Sequence, residues 1–105
     1  MPDIKDVKAK YIRLLKEKSL FTNVERVLAS GRTSNYYIDA KMTTLDPEGA
    51  NLTARLILEA LKPFEIDAIG GYTLGADPIV SAVAALSAET DRPLPAFIVR
   101  KEPKK

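Results

Sequence analysis

Residues 67–99, DAIGGYTLGADPIVSAVAALSAETDRPLPAFIV, hold the pattern that decides the fold. Asp67-Ala68-Ile69-Gly70-Gly71 is a short apolar run ending in glycines and reads as a strand. Asp77-Pro78 is a helix start, with a side chain that can cap and a proline whose missing N–H costs nothing in the first turn. Ile79, Val80, Val83, Ala84 and Leu86 carry that helix to about Glu89, and Asp91-Arg92-Pro93 breaks it. Leu94-Pro95-Ala96-Phe97-Ile98-Val99 is a second apolar strand. Strand, helix, strand is one βαβ unit, whose right-handed crossover makes the two strands parallel neighbours. The fold class is therefore α/β.

Upstream, Asp46-Pro47-Glu48 repeats the helix-start signal. Ala50, Ala54, Ile57, Leu58 and Leu61 form its apolar stripe, Pro63 ends it, and Gly49 is a mild blemish in its first turn. Val24 to Ala29 alternates apolar with charged residues, and Tyr36-Tyr37-Ile38-Asp39-Ala40 is rich in strand formers. Between them Ser30-Gly31-Arg32-Thr33-Ser34-Asn35 is turn chemistry, so this part reads as a hairpin. Asp3 to Lys18 is an amphipathic helix, with Ile4, Val7, Tyr11, Leu14 and Leu15 on one face. Asp3 can cap its start, and Lys16 and Lys18 sit favourably near its end.

The 105 residues suit one domain with one core. At 46% hydrophobic and 29% charged, the chain is too apolar for disorder. It has no Cys, which excludes a disulfide scaffold, a zinc-thiolate site and a cysteine nucleophile. It has no His either, so chemistry must run on carboxylates, Lys, Arg, Tyr, hydroxyls and backbone amides. The net charge is +2, yet Arg100 to Lys105 alone carries +3, leaving −1 for the rest. Basic character confined to one end argues against a general nucleic-acid coat and suits one polyanionic ligand held at one place; a solvated tail has the same composition. No apolar run reaches the ~18–20 residues of a membrane span, and the charged N-terminus is not a secretory signal, so a cytoplasmic location is expected.

Three segments could carry chemistry. The turn Gly70-Gly71-Tyr72-Thr73-Leu74-Gly75-Ala76-Asp77 lies between a strand C-terminus and a helix N-terminus, where open parallel sheets bind ligands. Glycines let amides approach a phosphate and the helix dipole favours the anion; the same residues also suit a plain tight turn. Its amides from Thr73 to Ala76 are expected to face solvent. Arg32 could hold a carboxylate or phosphate bidentately, and Tyr36 or Tyr37 could stack on a planar heterocycle. Neighbouring strand residues point to opposite faces, so one of the two tyrosines is expected to pack inward. Arg100-Lys101-Glu102-Pro103-Lys104 follows a strand directly, which delivers it to the same sheet edge as the glycine turn.

At these segments the chain resembles the orotate phosphoribosyltransferase family. The stretches are Leu28-Ala29-Ser30-Gly31-Arg32-Thr33-Ser34-Asn35-Tyr36-Tyr37-Ile38-Asp39, Gly70 to Pro78, and Val99-Arg100-Lys101-Glu102-Pro103-Lys104. The resemblance implies a partial type I phosphoribosyltransferase fold: a parallel sheet with flanking helices, and an N-terminal helix and hairpin forming a hood. Residues 1–45 would be the hood and 46–105 the first half of the α/β core. It implies transfer of ribose 5-phosphate from phosphoribosyl pyrophosphate (PRPP) to orotate, with magnesium, in pyrimidine synthesis. Arg100, Lys101, Lys104, Thr73 and Leu74 match positions that bind PRPP; Tyr36, Tyr37 and Arg32 match the orotate side. The family's homodimer would place Lys101 in the partner subunit's site. It also implies a strained or cis peptide near Tyr72-Thr73.

The chain departs from some family members at two positions. Ala29 stands where a PRPP-binding Lys occurs, and Thr73-Leu74 stands where Tyr-Lys occurs. Family members are roughly double this length, a domain of ordinary size. Their flexible loop beginning His-Gly and their acidic Thr-Thr-Gly motif would lie beyond Lys105. The chain therefore reads as the N-terminal half of such an enzyme, expected to lack turnover alone. A second reading is a non-catalytic phosphoribosyltransferase-like module that binds a phosphorylated ligand. A third, a basic-tailed nucleic-acid adaptor, has only four positive charges and no interleaved aromatics to support it.

Overall fold

The computed structural model describes residues 3–27 and 29–103, with the side chains of 23–26 set aside. Helix α1 (Ile4–Lys18) starts where Asp3 accepts the Lys5 N–H at 2.8 Å. Strands β1 (Leu20–Val27) and β2 (Thr33–Ile38) form an antiparallel hairpin. A one-turn helix α2 (Lys41–Thr44) leads into α3 (Pro47–Leu61). Then follow β3 (Ile69–Tyr72), α4 (Asp77–Ser87) and β4 (Ala96–Val99). β3 and β4 are parallel, Ile69 opposite Ala96 and Tyr72 opposite Val99, as a βαβ unit requires.

The hairpin is longer on its first strand than the alternating pattern indicates. β1 begins at Leu20, and its register slips between Thr22 and Arg26 where β2 advances only from Ser34 to Tyr36. Such an irregularity breaks the two-residue period that sequence reading relies on. Gly31 turns the connection at φ +87°.

Two apolar clusters form the core. Val7 and Leu14 of α1 meet Leu52 of α3, with Ile4, Tyr11 and Leu56 at the margin. Ala54 of α3 meets Val83 and Leu86 of α4, with Ile57, Leu58 and Ile69 against them. α3 is thus the shared wall between the N-terminal helix and the βαβ unit. Polar groups inside are paired: Ser19 Oγ bonds Thr43 Oγ1, Thr53 Oγ1 bonds the Gly49 carbonyl at 2.7 Å, and Ser87 Oγ accepts the Leu94 N–H at 2.8 Å. Arg92, in the loop before β4, donates to the Leu61 and Phe64 carbonyls and so caps the C-terminus of α3.

Gly49 is required where sequence reading finds only a blemish. A Cβ there would lie 1.9 Å from the Thr43 carbonyl oxygen, because α2 crosses directly over the first turn of α3. Asp46 caps that turn as expected, its carboxylate accepting the Gly49 N–H at 2.9 Å. No helix among the described residues is long and apolar enough to cross a membrane.

Candidate functional site

The ends of β3 and β4 meet through one hydrogen bond, the Thr73 N–H donating to the Val99 carbonyl at 3.3 Å. The chain beyond β3 is a turn through residues 73–76, and the chain beyond β4 is the basic segment. They enclose a shallow cleft of about 590 Å³ lined by Thr73, Asp77, Ile98, Arg100, Lys101 and Glu102. So the structure brings Thr73 together with Arg100 and Lys101 at the C-terminal edge of the parallel strands, the edge where open sheets bind ligands. Arg100 and Lys101 are exposed, and among the described residues neither forms an ion pair. Leu74 lies next to the cleft, 78% exposed. Lys104 falls outside the described residues.

The turn's donors divide in two. The Thr73 and Ala76 amides are used internally, Ala76 donating to the Tyr72 carbonyl at 3.1 Å. This corrects the expectation that the amides from Thr73 to Ala76 all face outward. The Leu74 and Gly75 amides have no acceptor among the described residues, and both residues are exposed. The Thr73–Leu74 peptide is cis, one bond beyond the position the resemblance indicates. Gly70 and Gly71 are strand residues, and close packing accounts for both. A Cβ on Gly70 would strike the Phe97 ring at 2.3 Å, and one on Gly71 would strike Ala76 at 2.6 Å.

Asp77, Ile98 and Glu102 are the lining residues that sequence reading passed over. The Asp77-Pro78 pair signals a cap, yet Ala76 holds the N-cap position. The Asp77 carboxylate instead accepts the Thr73 hydroxyl, 3.2 Å and 3.1 Å from its two oxygens. A Thr four residues before an Asp across a glycine-containing turn was the available signal. Two carboxylates do not make a metal cage: no group of three or more Asp or Glu that could hold an ion occurs among the described residues.

The hairpin residues are not part of this cleft lining. Tyr36 is 55% exposed, while Tyr37 is half-buried with its ring 6.4 Å from Phe21, its cross-strand partner. One tyrosine outward and one packed is what strand alternation requires. Arg32 is exposed in the connection between the strands. A second, more enclosed cavity of about 330 Å³ lies on the far side, between α1, α3 and the loop before β4. On its charged rim Lys62 pairs with Glu59, Arg92 with the end of α3 and Arg55 with Asn51.

No protein-family model matches the chain. It is 48% identical over 97 residues to the orotate phosphoribosyltransferase of Aquifex aeolicus (strain VF5), covering 90% of this chain and 53% of that protein. Among solved structures, the orotate phosphoribosyltransferase of Mycobacterium tuberculosis H37Rv in complex with Fe(III) dicitrate superposes with a TM-score of 0.78 at 34% identity, covering 93% of this chain and 54% of that one. The same protein in complex with PRPP gives 0.72 at 34% identity, covering 94% and 57%. The chain spans about half the length of the curated relatives it matches.

Proposed function

We propose that this chain, which shares its sequence and phosphoribosyltransferase fold with orotate phosphoribosyltransferases over about half their length, serves that reaction. It would supply the diphosphate-holding edge of a site that transfers ribose 5-phosphate from PRPP to orotate. The observation that carries this reading is the cleft at the ends of β3 and β4, where Thr73 meets Arg100 and Lys101 and the adjoining Leu74 and Gly75 amides have no acceptor among the described residues. Breaking the bond from ribose C1 to diphosphate builds positive charge on the sugar and negative charge on the leaving oxygens. Fixed cations and amides aimed at those oxygens lower that barrier without a proton-transferring histidine.

In this reading Arg100, Lys101, Thr73 and Leu74 are the PRPP side, with Lys104 beyond them, and Tyr36, Tyr37 and Arg32 the orotate side. Tyr36, the outward tyrosine, is the one placed to stack. Magnesium would arrive with the diphosphate, its ligands coming from substrate oxygens and water. A cytoplasmic homodimer, with Lys101 reaching the partner subunit's site, belongs to the same proposal.

The test is an assay of orotidine monophosphate formation with orotate, PRPP and magnesium. It is run on the chain alone and on the chain fused to the segment that completes the Aquifex aeolicus relative. The expected outcome is no turnover by the chain alone and turnover by the fusion, abolished by Arg100→Ala. A folded fusion that binds no PRPP contradicts the proposal and favours the non-catalytic module.

A further inference from the structure

We propose that Asp77 is a positioning residue: by accepting the hydrogen bond of the Thr73 hydroxyl it fixes the turn and leaves the Leu74 and Gly75 main-chain amides as its donors to a diphosphate. This rests on the reading of the cleft as a diphosphate site. A threonine hydroxyl has one proton to donate. Here it is directed at Asp77, shared between Oδ1 at 3.2 Å and Oδ2 at 3.1 Å. The Thr73 N–H is bonded to Val99 and the Ala76 N–H to Tyr72. Thr73 therefore has no donor left for an anion, although its side chain lines the cleft. The amides of the next two residues do, and they sit where the positive end of α4 points.

The charge of Asp77 makes this a sharp question. A carboxylate in a cleft beside Arg100 and Lys101 repels a polyanion. If charge were its whole effect, removing it would tighten anion binding, and freeing the Thr73 hydroxyl would tighten it further. If Asp77 positions the turn, removing it loosens binding despite the lost repulsion. The two accounts have opposite signs.

The experiment is a titration of the 105-residue chain with inorganic pyrophosphate, comparing the parent with Asp77→Ala, Asp77→Asn, Thr73→Val and the Asp77→Ala/Thr73→Val double variant. Asp77→Ala is expected to weaken binding about three- to tenfold, the size of one lost hydrogen bond. Asp77→Asn keeps an acceptor for the hydroxyl and sheds the charge, so it binds at least as tightly as the parent. Thr73→Val weakens like Asp77→Ala, and the double variant is no weaker than either single one. Unchanged amide signals from buried Val83 and Leu86 report that each variant is folded; should Asp77→Ala fail this control, Thr73→Val and Asp77→Asn decide. Parent-like or tighter binding by Asp77→Ala or Thr73→Val, or Asp77→Asn as weak as Asp77→Ala, overturns the inference alone. No pyrophosphate binding by the parent overturns the diphosphate reading and this inference with it.

Discussion

Asp46 couples two parts of the chain through one carboxylate. It caps α3 and accepts Lys18 Nζ, at the end of α1, at 2.8 Å. The Lys18 hydrogen bond, followed by the Gly49 N–H, holds the Asp46 carboxyl below the usual carboxylate range, and the Asp46 hydrogen bond raises the Lys18 ammonium above the usual lysine value. A lowered acid stabilises above its ordinary pKa of about 3.9 and loses that as pH falls through the lowered value; a raised amine stabilises below about 10.4 and loses that as pH climbs through the raised one. The pair thus stabilises between those limits, and modestly, being at the surface. Asp46→Asn, which keeps a capping oxygen, should flatten the fall in thermal midpoint between pH 5 and pH 3, read by circular dichroism. An unchanged acid limb would remove the pair from the account. Gly49→Ala and Gly75→Ala give a second contrast. The first drives a methyl into the Thr43 carbonyl and should cost at least about 1–3 kcal/mol; the second meets nothing within 4 Å and should leave the urea midpoint nearly in place. Asp46 was legible from Asp-Pro-Glu. Asp77 carries the same Asp-Pro signal with another outcome, because Thr73 takes its carboxylate, and that depends on how the turn folds back.

The βαβ unit was legible because both strands are short apolar runs and its helix has a clear start and stop. The crossover rule then fixes the parallel pairing. α2 was not legible: four residues carry too little periodicity, and burial of Thr43 and Thr44 comes from contacts with Ser19 and α3 that no local pattern announces. The hairpin was legible in type and not in extent, since the register slip in β1 conceals its first half. Three substitutions weigh the elements. Leu86→Ala, at the α3–α4 interface, should cost about 2–5 kcal/mol in chemical unfolding. A cost near zero would mean that α4 is not packed on α3. On the hairpin, Tyr36→Ala in the fused enzyme should weaken orotate binding by about 1–3 kcal/mol, the size of a lost aromatic stack, with Tyr37→Ala costing fold stability through its Phe21 contact. Loss of orotate binding from Tyr37→Ala alone, in a folded protein, would reverse the assignment.

The molecule exposes 7935 Å², against about 5800 Å² expected of a folded chain of its mass. Its radius of gyration is 15.8 Å, against about 13 Å for a compact domain of this length. The excess is apolar in part. α4 covers one face of the β3–β4 pair, while on the other Tyr72 is 81% exposed and Phe97 52%. β4 also offers an open edge carrying Ile98. Such surface is the size that a stable association buries, so light scattering of the isolated chain should show mass rising with concentration. A monomer at all concentrations would show that these faces tolerate water.

We propose a PRPP site at the ends of β3 and β4. It is tested most directly by titrating the isotope-labelled chain with PRPP and magnesium and following each backbone amide by nuclear magnetic resonance. The largest saturable shifts are expected at Leu74, Gly75, Arg100 and Lys101, and little at Leu58, Leu61 and Leu94 around the far cavity. Shifts centred on that far cavity, or none at millimolar PRPP, would contradict it.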